Sequence, residues 1–191
     1  IALGALQLHG EGALTDDTVV VTVMSNLGFH HAMAEAGIRV VATAVGDRYV
    51  LAALDEGDFA IGGEQSGHII YRHQATTGDG LLAGTRLLQH VHDRRPPGQR
   101  PDLAGLAAAV MSTYPQVLVN VRVAHRHPSI ATEMAAEVAA AEAALGGDGR
   151  VLLRASGTEP LVRVMVEAAT DDIARRVAED LARQVGARFG A

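Results

Sequence analysis

The sequence predicts an α/β chain in two parts. A parallel-rich α/β domain over residues 1–111 is followed by a small α+β domain over 112–191, with helices packed on an antiparallel sheet. Three observations carry this. In the first half, β-branched apolar runs alternate with helical segments, as repeated βα units do. In the second, strand and helix signals come in the order β-α-β-β-α. Between them lies Arg94-Arg95-Pro96-Pro97-Gly98-Gln99-Arg100-Pro101, the clearest breaker in the chain.

Thr18 to Met24 reads as a strand buried on both faces, because it is continuously apolar or β-branched. Ser25-Asn26 offers an N-cap for a helix from Phe29 to Glu35, which Gly37 stops. Ile38 to Ala44 repeats the strand signal, and Val45-Gly46-Asp47-Arg48 turns into a helix over Tyr49–Glu56. Phe59–Gly62 and His68–Tyr71 are expected as short strands around a glycine-rich loop. Asp79-Gly80 opens a helix to about Asp93, and another is expected over Asp102–Met111. Gln116 to Val123 alternates with period two, the mark of a half-buried strand. One helix is expected over Pro128–Leu145, then strands Val151–Arg154 and Leu161–Val166. The last helix, Asp171–Val185, sets Ile173, Val177, Leu181 and Val185 at spacing four as its apolar face.

Composition narrows the function classes. Net charge is −6 with no basic run, which leaves no electrostatic footprint for nucleic acid. Aromatics are 3% with no Trp, so stacking platforms are scarce. There are no cysteines, hence no disulfide framework and no thiolate nucleophile. Apolar stretches are broken by Gly and charge before they could span a bilayer, so no membrane association is expected. All 16 basic residues are Arg. Every cationic contact to an anion must therefore come from a planar guanidinium, which suits bidentate binding of phosphate. The start lacks Met and resembles the middle of a helix, so a piece of a longer protein is expected.

Arg154-Ala155-Ser156-Gly157-Thr158-Glu159-Pro160-Leu161-Val162-Arg163 is the most informative stretch. A strand delivers Arg154, a Ser-Gly-Thr turn offers hydroxyls and convergent N–H groups, and Arg163 begins the return strand. It reads either as a phosphate-monoester site or as a polar turn with solvated arginines. Gly62-Gly63-Glu64-Gln65-Ser66-Gly67-His68 packs a carboxylate, an amide, a hydroxyl and an imidazole between glycines. Such groups suit ring hydroxyls, which donate and accept, and His68 could relay a proton. A glycine-rich surface loop is the alternative. Val45–Arg48 and Thr76–Gly80 are each adequately explained as turn plus helix cap. The pairs His30-His31, His90/His92 and His125/His127 lack the companions that would complete a metal site.

Together these stretches resemble the α-D-phosphohexomutase family over essentially the whole chain. Arg154–Arg163 resembles the phosphate-binding loop of that family's last domain. Glu64-Gln65-Ser66-Gly67-His68 resembles the sugar-binding loop of its third domain, and Val45–Arg48 a further active-site loop there. Val45–Val50, Thr76–Gly80 and Pro115–Val121 look more like the branch acting on glucosamine phosphate than the mannose-phosphate branch.

The resemblance implies a four-domain cytoplasmic enzyme that interconverts glucosamine 6-phosphate and glucosamine 1-phosphate for cell-wall precursor synthesis. A phosphoserine donates its phosphoryl group and a glucosamine 1,6-bisphosphate-type intermediate turns over. Mg²⁺ bound by an upstream domain neutralises charge. Neither a Ser-His-Asn nor an Asp-Gly-Asp sequence stands in this chain, so the serine and metal loops are expected in missing N-terminal domains. By the same resemblance Arg154, Ser156, Gly157, Thr158 and Arg163 hold the non-reacting phosphate. Glu64 and Ser66 bind ring hydroxyls, and Gly46 and Asp47 belong to the substrate-binding loop. Arg48 and His68 lie near the reacting end, and the chain alone is expected to be inactive. Rival readings are the same chemistry on mannose or glucose phosphate, and a non-catalytic sugar-phosphate-binding module.

Overall fold

A computed structural model describes residues 1–190. They divide into two compact units, Ile1–Thr113 and from Tyr114 onward, against an expected boundary after residue 111.

The first unit runs α1 (Ala2–Gly10), β1 (Thr18–Thr22), α2 (Leu27–Glu35), β2 (Arg39–Thr43), α3 (Asp47–Glu56), β3 (Ile61–Gly63), β4 (Ile69–Tyr71), α4 (Gly80–Asp93) and α5 (Leu103–Val110). Its sheet has the order β2-β1-β3-β4. β1 is parallel to both neighbours, and β4 returns antiparallel to β3. Every residue of β1 is buried, as its unbroken β-branched run requires. Val20 packs with Val50 and Leu54 of α3 on one face. On the other, Val19 and Val21 pack with Ala5 of α1 and with Phe29 and Met33 of α2. The result is helix, sheet, helix.

The strand expected to reach Met24 stops at Thr22. The carbonyl of Thr22 accepts from Ser25 N at 3.0 Å, and its hydroxyl accepts from Met24 N at 3.4 Å. The chain therefore turns before Asn26, whose side chain accepts from Gly28 N and caps α2.

Gly62 lies where strand and helix approach closely: an added Cβ would stand 2.7 Å from Val20 O and 2.9 Å from Val50 Cγ1. Val20 O is backbone of the central strand and cannot swing aside. Gly62→Ala is expected to destabilise this unit by about 1–3 kcal/mol in urea melts followed by circular dichroism.

The second unit runs β5 (Gln116–Arg122), α6 (Ile130–Glu133), α7 (Ala135–Leu145), β6 (Gly149–Ala155), β7 (Leu161–Ala168) and α8 (Asp171–Phe189). The order is β5-β7-β6, antiparallel throughout. Exposure alternates along β5, and Val117, Val119 and Val121 join Val162, Val164 and Val166 of β7 in the core beneath α8. Gln116, Leu118, Asn120 and Arg122 are exposed on the other, helix-free face.

Two expectations shift. The helix expected over Pro128–Leu145 is two, α6 and α7, broken at Met134, which is fully buried with φ −113°. The buried face of α8 is Ala174, Ala178, Leu181 and Val185, with Ile173 and Val177 at its margin. Alanines at the centre of the contact let the helix settle closer to the sheet than Ile or Val would.

His90 of α4 is 6% exposed. Burial holds its pKa below the ordinary imidazole value, Arg94 pushes the same way, and Glu11 and Asp93 oppose. The unfolded chain therefore takes up this proton before the folded one does, and stability falls as pH drops below about 6.5. His90→Leu should flatten the fall in melting temperature between about pH 7.5 and 5.5. A slope identical to that of the original chain would contradict this.

Candidate functional site

Parallel strands end on the same edge of their sheet. Here β2, which leads into α3, delivers Gly46 to that edge, and β3, parallel to β1 and leading into the β4 hairpin, delivers Glu64. Glu64 Oε1 accepts from Gly46 N at 2.9 Å, so the two candidate loops are tied by a charge-assisted hydrogen bond. Gly46 has φ 133°, open to glycine and strained for other residues. The Glu64 side chain is 12% exposed, and its second oxygen lies 3.9 Å from His68 Nδ1. His68 Nδ1 also meets Ser66 Oγ at 3.1 Å. Gly67, at φ 100°, permits the return that pairs Glu64 N with His68 O at 2.9 Å.

Gly46, Glu64, Ser66 and His68 thus form one cluster. Asp47 opens α3, where its carboxylate accepts from Arg48 N at 2.8 Å. Arg48 takes a different course. Its guanidinium donates to Tyr49 Oη at 2.7 Å and lies over that ring at 4.6 Å, on the exposed side of α3. Residue by residue, Thr76–Gly80 is explained by capping. Asp79 does cap α4, accepting from Leu81 N and Leu82 N. Gly78 also lies against His68, 3.4 Å from its Cβ measured from an added Cβ. A glycine just ahead of the capping residue, with no capping task itself, was the available signal.

In the second unit, Arg154 of β6 stands directly opposite Arg163 of β7. Neighbouring residues Leu153, Ala155, Val162 and Val164 pack inward, so both arginines lie on the helix-free face. Burial and the Arg163 charge lower the pKa of Arg154. Neither arginine is in an ion pair among the described residues, whose arginine pairs involve Arg72, Arg150, Arg175, Arg183 and Arg188. Arg163 Nε is buried without a hydrogen-bond partner.

The loop between these strands is built differently from a simple nest. Ser156 is 2% exposed, and its hydroxyl accepts from Glu159 N at 3.3 Å and Thr158 N at 3.5 Å. Gly157 is not among the residues of positive φ, and an added Cβ there would meet nothing within 4 Å. The chain's own packing therefore makes no demand for glycine at this exposed position. Thr158 and Glu159 are exposed beside it.

Comparison with known proteins decides the family. The sequence model described as phosphoglucomutase/phosphomannomutase alpha/beta/alpha domain III matches residues 1–114, and that of the C-terminal domain matches 118–184. The chain belongs to the phosphoglucomutase/phosphomannomutase family. It is 57% identical over 192 residues to the phosphoglucosamine mutase of Frankia alni, covering 100% of this chain and 41% of that protein. To the phosphoglucosamine mutase of Rhodococcus opacus it is 54% identical, covering 95% and 40%. The chain thus spans about two fifths of the length of these relatives. The N-acetylphosphoglucosamine mutase of Aspergillus fumigatus, solved with GlcNAc-6P and magnesium, aligns with a TM-score of 0.75 over 96% of this chain and 42% of that one. At 21% identity that likeness concerns the fold. No helix among the described residues is long and apolar enough to cross a membrane.

The Glu64–Gly46 tie has a direct test. Glu64→Ala should leave Gly46 N without its acceptor, cost about 1 kcal/mol and speed hydrogen exchange at that amide. Glu64→Gln, which keeps an acceptor oxygen, should restore slow exchange.

Proposed function

We propose that this chain supplies the sugar grip and the phosphate clamp of a phosphoglucosamine mutase, which interconverts glucosamine 6-phosphate and glucosamine 1-phosphate. The observation that carries the reading is the Arg154–Arg163 pair. Two guanidiniums held side by side repel each other, and an orphaned buried Nε adds a cost of about 1–3 kcal/mol. A dianion offsets the repulsion, and forked donors fit phosphate oxygens two by two. Nucleic-acid phosphate is disfavoured by the net charge of −6.

In this reading Arg154, Arg163 and the Ser156–Thr158 loop hold the phosphate that is not reacting. Ser156 acts through the loop, fixing its amides, and Gly157 keeps space for the ligand's close approach. Glu64 and Ser66 meet ring hydroxyls, with Gly46 and Asp47 framing them. His68, engaged at Nδ1 by Ser66, has Nε2 left to exchange a proton with a sugar hydroxyl. Arg48 would reach the reacting end by leaving Tyr49, a rotamer change at an exposed side chain. The phosphoryl group moves from a phosphoserine to a sugar hydroxyl, and the sugar's other phosphate then returns to that serine. Both partners of the transfer lie outside this chain. Among the described residues no group of three or more His, Cys, Asp or Glu is arranged to hold a metal ion. What the chain contributes is orientation.

Calorimetry with glucosamine 1-phosphate tests the clamp. Arg154→Ala should weaken binding at least about tenfold, the equivalent of one charged hydrogen bond. Gly157→Ala should leave the melting temperature unchanged and still weaken binding; undiminished affinity in both variants would remove the clamp. Mannose 1-phosphate as competitor reads the sugar preference. Given Mg²⁺ and a bisphosphate activator, the chain alone should show no turnover in a coupled assay.

A further inference from the structure

We propose that Asn120 is a positioning residue of the phosphate clamp, its amide oxygen receiving Arg163 Nε–H when the anion is bound. The inference rests on the clamp reading above and extends it by one strand. Arg163 has two directly opposed neighbours, Arg154 on β6 and Asn120 on β5. All three therefore lie in one cross-strand row on one face of the sheet. Asn120 is exposed there, while Val119 and Val121 on either side of it pack into the core. Directly opposed side chains stand roughly 5 Å apart at Cβ, within reach of an amide and a guanidinium.

The chemistry of the row is asymmetric. A guanidinium carries donors and no acceptor, so Arg154 can offer Arg163 nothing but repulsion. Asn120 carries an acceptor oxygen and no charge. Buried donors are almost always satisfied, and Arg163 Nε is buried with no partner. Rotation of the Asn120 amide about its last bond supplies one. With Nε so held, the guanidinium plane is fixed and its terminal nitrogens are left for phosphate oxygens. A carboxylate at position 120 would bond the same nitrogen but cancel the charge that recruits the anion. An aliphatic side chain would leave the charge and lose the aim.

The experiment measures affinity for inorganic phosphate at low ionic strength, together with the arginine Nε–H resonances in ¹⁵N-correlated spectra. The Arg163 signal is assigned by its loss in Arg163→Lys. In the original chain, phosphate should slow exchange of the Arg163 Nε–H. Asn120→Leu should abolish that protection and weaken phosphate binding about tenfold. Asn120→Asp should keep the protection yet bind phosphate more weakly still, and neither variant should shift the melting temperature. If Asn120→Leu retains both protection and affinity while Arg154→Ala loses affinity, the clamp stands and the role of Asn120 falls. If affinity drops in Asn120→Leu only in step with the melting temperature, the residue is structural and the inference fails. Absence of phosphate binding by the original chain, or unchanged binding in Arg154→Ala, overturns the clamp and the inference with it.

Discussion

Every residue of β1 is buried, and β1 runs parallel to the strand on either side of it. A strand in that position can satisfy its backbone only through its neighbours, because no water reaches it. Strands parallel to β1 end on the same edge of the sheet, so the loops that follow β2 and β3 gather there. The sites of Gly46 and Glu64, 18 residues apart in sequence, meet for this reason. The glutamate closes the arrangement by bonding the glycine's amide. A carboxylate engaged in this way cannot turn freely, which suits the proposed grip on ring hydroxyls.

The second unit uses the opposite device. Its antiparallel register places like charges directly across from each other, a pairing that costs stability in a sheet. Sheets ordinarily set opposite charges there, as Arg150 and Glu167 do in this same sheet, with nitrogen and oxygen 2.9 Å apart. That contrast within one hairpin argues that the Arg154–Arg163 pair answers to something other than folding. The loop joining the two strands is tied to itself through the Ser156 hydroxyl.

Much of the fold could be read in the residues, and the parts that could not share a cause. The β1 run, the alternation of β5, and the caps Asn26 and Asp79 are local signals, each decided within a few residues. What escaped depends on partners distant in sequence. The break at Met134 carries no Gly or Pro, and the residue is instead drawn into the core. The inward face of α8 includes the expected Leu181 and Val185, while Ala174 and Ala178 hold the places expected for Ile173 and Val177, which pack at its margin. In the candidate site, the residue types of the two loops were legible, but their bonding was not. Arg48 lying on Tyr49, Glu64 holding Gly46, and Asn120 facing Arg163 all require three-dimensional register.

The absence of lysine from this sequence bears on how the clamp responds to its surroundings. Burial and a neighbouring charge lower the pKa of Arg154. A lysine exposed to the same influences would start from about 10.4 and move toward the range where it loses its charge. Arginine starts well above lysine and holds its charge more firmly under the same influences. The protein side of the contact therefore does not titrate near neutrality. A phosphate monoester does, with a second pKa near about 6. Affinity at this clamp should follow the ionisation of the ligand, rising as the dianion forms, while the guanidiniums stay constant. Under the proposed reading, binding of the anion relieves the repulsion between the two guanidiniums.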